Sequence, residues 1–275
     1  MVALWAGARR EEALGSDAER LAEVEMQVTE AALGRNPKSY MAWHHRQWVL
    51  SRARHCLPLA RELQLLERLF QADERNFHAW SHRRFVCGLM GRGADAELRA
   101  TEERIQRNFS NFSAWHERAR LMTEASADPG AAGGLFADGA LDAELETTTQ
   151  AIFTEPDDQS AWVYLHWVVA AVLGRAGEAR RRGDGAEAAE LEGRVAGVRS
   201  SCEELIALDP GGKWASLTLV LVAGALQAGA GEWDGGARAA LGRLGEVDPD
   251  RRGFYRYLLD AGPAAALRVL PRVSQ

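Results

Sequence analysis

A tryptophan-centred segment recurs along this chain and restricts its fold more than any other feature. It reads NPKSYMAWHHRQWVL from Asn36, DERNFHAWSHRRFVC from Asp73, NFSNFSAWHERARLM from Asn108 and EPDDQSAWVYLHWVV from Glu155, with a decayed copy, DPGGKWASLTLVLV, from Asp209. The register tryptophans are Trp43, Trp80, Trp115, Trp162 and Trp214. The first copies follow one another at about 35 residues, the length of one helical hairpin in a repeat array. In each copy a polar residue opens a helix, and a second helical pattern lies between copies, as in ARELQLLERLF at 60–70 with Leu63, Leu66 and Phe70 on one stripe. A lone hairpin cannot bury its apolar face, so such units must stack on their neighbours. No alternating strand pattern occurs. The spacing predicts an all-α solenoid of helical hairpins, one repeat domain over 1–275. An incomplete first repeat is expected at 1–20, with cores near 36–50, 73–87, 108–122, 155–169 and 209–223. The longer later intervals coincide with Gly- and Ala-rich inserts near 126–140 and 174–199, expected to be loop extensions or frayed helix ends.

Charge and cysteine usage narrow the function. A net charge of −6 without a basic stripe argues against a general nucleic-acid binder, though not against one local cationic pocket. Cys56, Cys87 and Cys202 form no C-x-x-C pair, which fits a reducing, cytoplasmic setting and offers neither a disulfide framework nor a zinc signature. No signal-peptide pattern opens the chain. The uncharged run from Trp214 to Gly231 contains Ser216, Thr218, Gln227 and several small residues, so a buried terminal helix is expected rather than a membrane span.

The repeated tryptophans are expected to be wedges between helices. Tyr40, Phe77 and Phe112 stand three residues before them, and Arg46, Arg83 and Arg118 three after, on one helix face. Among the histidines, His44 and His45 diverge around a helix and cannot clamp one metal together. His78 and His82 are spaced i, i+4 but lack the Glu of H-E-x-x-H, so inter-helix hydrogen bonding is the expected role. A nucleophile elbow and a phosphate-cradling glycine loop are both absent. No metal site and no cofactor is expected in this chain.

Lys38 is the sharpest functional candidate. Of 33 basic residues only Lys38 and Lys213 are lysines. Asn36 as an N-cap and Pro37 at the first helical position would put Lys38 in the first turn, against the helix dipole. An anion between the ammonium and the free N–H groups would reconcile them, whereas Asp73, Glu74, Asp157, Asp158 and Asp250 at other helix starts obey the dipole rule. An exposed lysine tolerated at small cost is the plainer alternative.

The segments NPKSYMAWHHRQWVL, DERNFHAWSHRRFV, RNFSNFSAWHER, PDDQSAW, KWASLTL and VDPDRRGFYRYL resemble the protein prenyltransferase α-subunit repeat family, from about residue 20 to 260. Within it they are most similar to type II, or Rab, geranylgeranyltransferase α subunits. They are less similar to the α subunit shared by farnesyltransferase and the type I enzyme. The resemblance implies a right-handed, crescent-shaped superhelix wrapped around a β subunit that carries the zinc and most of the isoprenoid pocket. It implies a heterodimer, inactive as α alone, that transfers geranylgeranyl from geranylgeranyl diphosphate to C-terminal cysteines of Rab GTPases presented by an escort protein. Lys38 matches the family lysine that meets the lipid diphosphate, and Tyr40 matches a tyrosine at the same subunit junction, where it either packs or contacts substrate. A plain repeat scaffold for partner proteins is the rival from another class, and a stand-alone metalloenzyme the last. The fourth repeat departs from the family, reading Trp162-Val-Tyr-Leu165-His166 where the pattern has a His-Arg pair, the third has Glu117 for histidine, and the family's N-terminal helices are expected to be missing.

Overall fold

The computed structural model of the chain describes residues 15–126, 139–227 and 229–271, and among these every regular element is helical. The expected insert near 126–140 and the first part of the incomplete repeat at 1–20 fall largely outside the described residues. The helices are α1 (Gly15–Arg35), α2 (Tyr40–Ala53), α3 (Leu59–Ala72), α4 (Phe77–Met90), α5 (Ala94–Arg107) and α6 (Phe112–Ser126). They continue with α7 (Ala140–Thr154), α8 (Gln159–Arg181), α9 (Gly185–Leu208), α10 (Lys213–Leu226), α11 (Gly235–Val247) and α12 (Arg252–Ala261). Short 3-10 turns at Pro249–Arg251 and Pro263–Arg268 flank α12. The chain divides into two compact units at Glu97 and Leu98, inside α5.

In the first unit α1 packs on α2 and α3 on α4, while α2 and α4 also pack on each other. Ala22 and Met26 of α1, Val49, Leu50 and Ala53 of α2, Leu57 and Val86 make one core there. In the second unit consecutive helices α7 to α12 pack in order, and the even-numbered α6, α8 and α10 touch in turn. These contacts are those of stacked hairpins.

One construction repeats at the first four copies, whereas in the fifth Ser216 takes the expected tryptophan's place on the helix and Trp214 is only half-buried. The indole N–H of Trp43 donates to the carbonyl of Pro37, Trp80 to Glu74, Trp115 to Phe109 and Trp162 to Pro156, each at 2.8 Å. The four rings are buried. Each wedge thus has its one polar atom satisfied by the turn that opens its own helix. Those carbonyls are spent on a side chain, so the helix begins after them.

The buried arginines join hairpins. Arg46 of α2 pairs with Glu62 of α3, Arg83 of α4 with Glu97 in the first turn of α5, and Arg118 of α6 with Glu144 of α7. Arg46 also donates to the Met26 carbonyl and Thr29 Oγ1 of α1, and Arg118 to the Leu98 carbonyl and Thr101 Oγ1 of α5. Two of these glutamates receive a second donor from two residues after a tryptophan, His82 to Glu62 and Tyr164 to Glu144, and His45 at the same position of the first copy meets Glu25 of α1. Burial pushes the Glu62 carboxyl up, but hydrogen bonds from His82 and Arg46 outweigh it and hold the group below its ordinary range. Glu117 takes the histidine's place in the third repeat and pairs with Arg120 instead. In the fourth, Leu165 is buried and apolar where an arginine would stand, and His166 bonds Thr218 Oγ1 of α10 at 2.8 Å.

Residues 174–199 are not a loop. They complete α8 and begin α9, joined only by the turn at 182–184, with Asp184 capping the Glu187 N–H. Alanine is the best helix former, and ion pairs Arg175–Glu187 and Arg182–Glu187 cross the hairpin, so the low-complexity composition supports helix rather than breaking it. The uncharged segment after Trp214 is mostly the short, buried α10, and no helix among the described residues is long and apolar enough to cross a membrane.

Candidate functional site

Lys38 lies outside the helix. Asn36 does not cap α2: its side chain accepts the Lys38 N–H at 3.1 Å and its carbonyl accepts the Ser39 N–H, making a tight turn. Ser39 is the cap, accepting from the Ala42 N–H, and Tyr40 is the first helical residue. The same turn opens three other copies, where the backbone N–H of Arg75 donates to the Asp73 side chain, that of Ser110 to Asn108 and that of Gly211 to Asp209. The structural counterpart of Lys38 is therefore Arg75, not the acids Asp73 or Glu74. The expectation that the first copy alone opposes its helix dipole is overturned, because a turn placed before the cap leaves the cation outside the helical first turn.

Lys38 is also already paired. Its ammonium stands 3.2 Å from Asp73 Oδ2 at the end of the next hairpin's first helix, with the lysine side chain 70% exposed. The Asn76 amide donates to the Pro37 carbonyl at 3.1 Å, so the two turns are held together through the same oxygen that takes the Trp43 indole. An exposed pair of this kind is worth about 0–1 kcal/mol, so an incoming anion can compete with Asp73 for the ammonium.

Tyr40 occupies the aromatic position of the repeat, but it is not core. It is 69% exposed, as Phe77 is largely exposed, while Trp43 and Arg46 further along the same face are buried. The tyrosine ring meets His78 edge-on at 4.3 Å and Phe77 at 6.1 Å, and Phe77 lies 3.8 Å from His78. Burial, then the Lys38 charge, pushes the His78 imidazole pKa down. With Met41, also exposed, these residues form an apolar ledge beside a cation at the starts of α2 and α4. The structure brings the two sequence candidates, Lys38 and Tyr40, to this ledge. It adds Asp73, Phe77 and His78, which sequence reasoning had placed in the repeat but not at the site. His78 and His82 do not share a ligand position: His82 is fully buried on Glu62, whereas His78 faces the aromatic ledge.

The four hairpins α1–α2, α3–α4, α5–α6 and α7–α8 coincide with four matches to the model described as protein prenyltransferase alpha subunit repeat, at residues 22–53, 59–90, 94–125 and 141–172. The chain belongs to this family of helical-repeat subunits. Among curated relatives it is similar to geranylgeranyl transferase type-2 subunit alpha, at 44% identity over 160 residues in Rattus norvegicus and 43% over 160 residues in Homo sapiens. Each alignment takes in 57% of this chain and 27% of the relative. The type-2 subunit alpha 2 of Arabidopsis thaliana is 38% identical over 159 residues, covering 53% of this chain and 23% of its own. The match thus spans about a quarter of these relatives' length. Among solved structures, the Candida albicans protein geranylgeranyltransferase-I complexed with GGPP matches 87% of this chain and 72% of its own, with a TM-score of 0.64 and 20% identity. At that identity the likeness concerns the fold.

Proposed function

We propose that this chain serves as the α subunit of a heterodimeric type II protein geranylgeranyltransferase. In this reading it supports a β subunit that carries the zinc and the lipid pocket. The pair transfers geranylgeranyl from geranylgeranyl diphosphate to C-terminal cysteines of Rab GTPases brought by an escort protein, and α alone is inactive. The observation that carries the reading is the 43–45% identity to type-2 alpha subunits over 160 residues. The exposed ledge of Tyr40, Met41 and Phe77 supports it as surface suited to a partner. Lys38 meets the diphosphate, exchanging Asp73 for the leaving group, and stabilises the charge that develops as the C–O bond breaks. Tyr40 contacts the substrate or the partner rather than the core.

Co-purification with a type II β subunit, followed by transfer assays on escort-bound Rab, tests this. A stable pair that transfers geranylgeranyl supports the reading. A stable pair without transfer, or transfer of farnesyl to short peptides instead, overturns the type II assignment. Absence of any pair favours a scaffold for other proteins.

A further inference from the structure

The turn between α2 and α3 assembles three side chains that prenyl transfer does not use. His55 and Cys56 lie in that turn, and Glu19 lies near the start of α1. A donor atom from each, the His55 ring nitrogen, Cys56 Sγ and a Glu19 carboxylate oxygen, lies within 4.8 Å of the other two. Cys56 is half-buried against the core formed by Ala22, Met26, Val49, Leu50 and Ala53, with its sulfur 3.1 Å from the Ala53 carbonyl. That packing holds the sulfur in place with or without its proton, while Glu19 and His55 are exposed. Among the described residues neither the Glu19 nor the His55 side chain makes a hydrogen bond or ion pair.

We propose that Glu19, His55 and Cys56 bind a zinc-class divalent cation that ties the first turns of α1 to the α2–α3 turn. Thiolate, imidazole and carboxylate are the donors that such a cation takes, and one thiolate with one carboxylate neutralises its charge. Bonds of roughly 2.0–2.3 Å place tetrahedral donors about 3.5 Å apart, so a contraction of about 1 Å suffices, within the reach of two exposed side chains. Glu23, one turn along α1 from Glu19 and on the same face, or a water, completes the shell. Without the cation, burial and the Glu19 and Glu23 carboxylates raise the Cys56 thiol pKa. The cation takes the thiol's proton site, releasing that proton to solvent and turning the two carboxylates from opposing charges into favourable ones. The site anchors the helix that supplies Glu25 to His45 and Met26 and Thr29 to Arg46.

The test is cobalt titration of the full chain after chelator treatment. A near-ultraviolet thiolate-to-cobalt band is expected, saturating at one cobalt per chain, displaced by zinc, and accompanied by a higher unfolding midpoint. Cys56→Ser should abolish the band, and His55→Gln should weaken cobalt binding by more than about tenfold. Both should keep the parent circular dichroism. His44→Gln, at an exposed position on α2, should behave as the parent. Absence of the band, its survival in Cys56→Ser, or unchanged affinity in a folded His55→Gln would each overturn the site.

Discussion

Arg46 and Glu62 meet as a fully buried bidentate pair, with Nε to Oε2 and Nη2 to Oε1 both at 2.7 Å. Glu62 is also the acceptor for His82 Nε2 at 3.0 Å, so one carboxylate closes the first hairpin onto the second and the second onto itself. Removing one partner strands the other charge away from water. Glu62→Ala is therefore expected to cost about 3–5 kcal/mol in denaturant unfolding. The double replacement Arg46→Met with Glu62→Leu should recover most of that loss, because no unpaired charge remains. A double variant no more stable than Glu62→Ala would show that the pair itself supplies the energy.

Buried histidines set a second expectation. Burial pushes His166 down to about 4, so the imidazole is neutral in the fold and protonated in the unfolded chain at mildly acidic pH. A depressed base is fully stabilising above its unfolded value near 6.5, and its contribution is lost as pH falls from there to about 4. The loss amounts to roughly 3 kcal/mol over that window. His166→Gln, which can keep the bond to Thr218, should flatten the fall of stability across the window. His82, also lowered by burial, keeps part of the slope. An identical slope in parent and variant would disprove the assignment.

Tight packing at the C-terminal end gives a third. A Cβ on Gly224 of α10 would lie 2.4 Å from the Ala266 Cβ, 2.8 Å from the Pro263 carbonyl oxygen and 2.9 Å from the Trp233 ring. Alanine would gain helix propensity but force apart α10 and the Pro263–Arg268 turn. Gly224→Ala is expected to destabilise by about 1–3 kcal/mol, with faster proteolysis after 262. A stability equal to or above the parent would mean that the turn is loosely held.

Much of this order was legible in the repeat, and the rest was hidden for identifiable reasons. The tryptophans and arginines announce themselves by fixed spacing. Their acceptors do not, because the arginine-to-glutamate separations are 16, 14 and 26 residues across connections of different length. One signal went unread: His45–Glu25, His82–Glu62 and Tyr164–Glu144 all keep a separation of 20, since both members belong to one hairpin. Tyr40 was ambiguous because a helix face predicts alignment with Trp43 but not where neighbouring hairpins stop covering it. Lys38 was placed inside α2 because Asn-Pro resembles a helix start, whereas the Pro37 carbonyl is claimed by the Trp43 indole. Glu19, His55 and Cys56 come from two parts of the chain with no motif spacing, and only the packing of α1 on α2 unites them.

The Lys38–Asp73 pair supplies the fourth expectation, which separates a functional lysine from a structural one. The pair is exposed, so neither Lys38→Ala nor Asp73→Asn should change stability by more than about 1 kcal/mol. If the ammonium serves a diphosphate, the two changes must differ in the assembled transferase. Lys38→Ala removes charge stabilisation from the departing group and should lower kcat by about 10²–10³, the usual effect of deleting one such donor. Asp73→Asn removes the competitor for the same ammonium and should leave kcat intact while lowering KM for geranylgeranyl diphosphate. Steady-state kinetics on the intact heterodimer read both parameters. Equal, small effects from the two variants would assign Lys38 to the hairpin junction alone, with the subunit reading left standing on assembly and transfer.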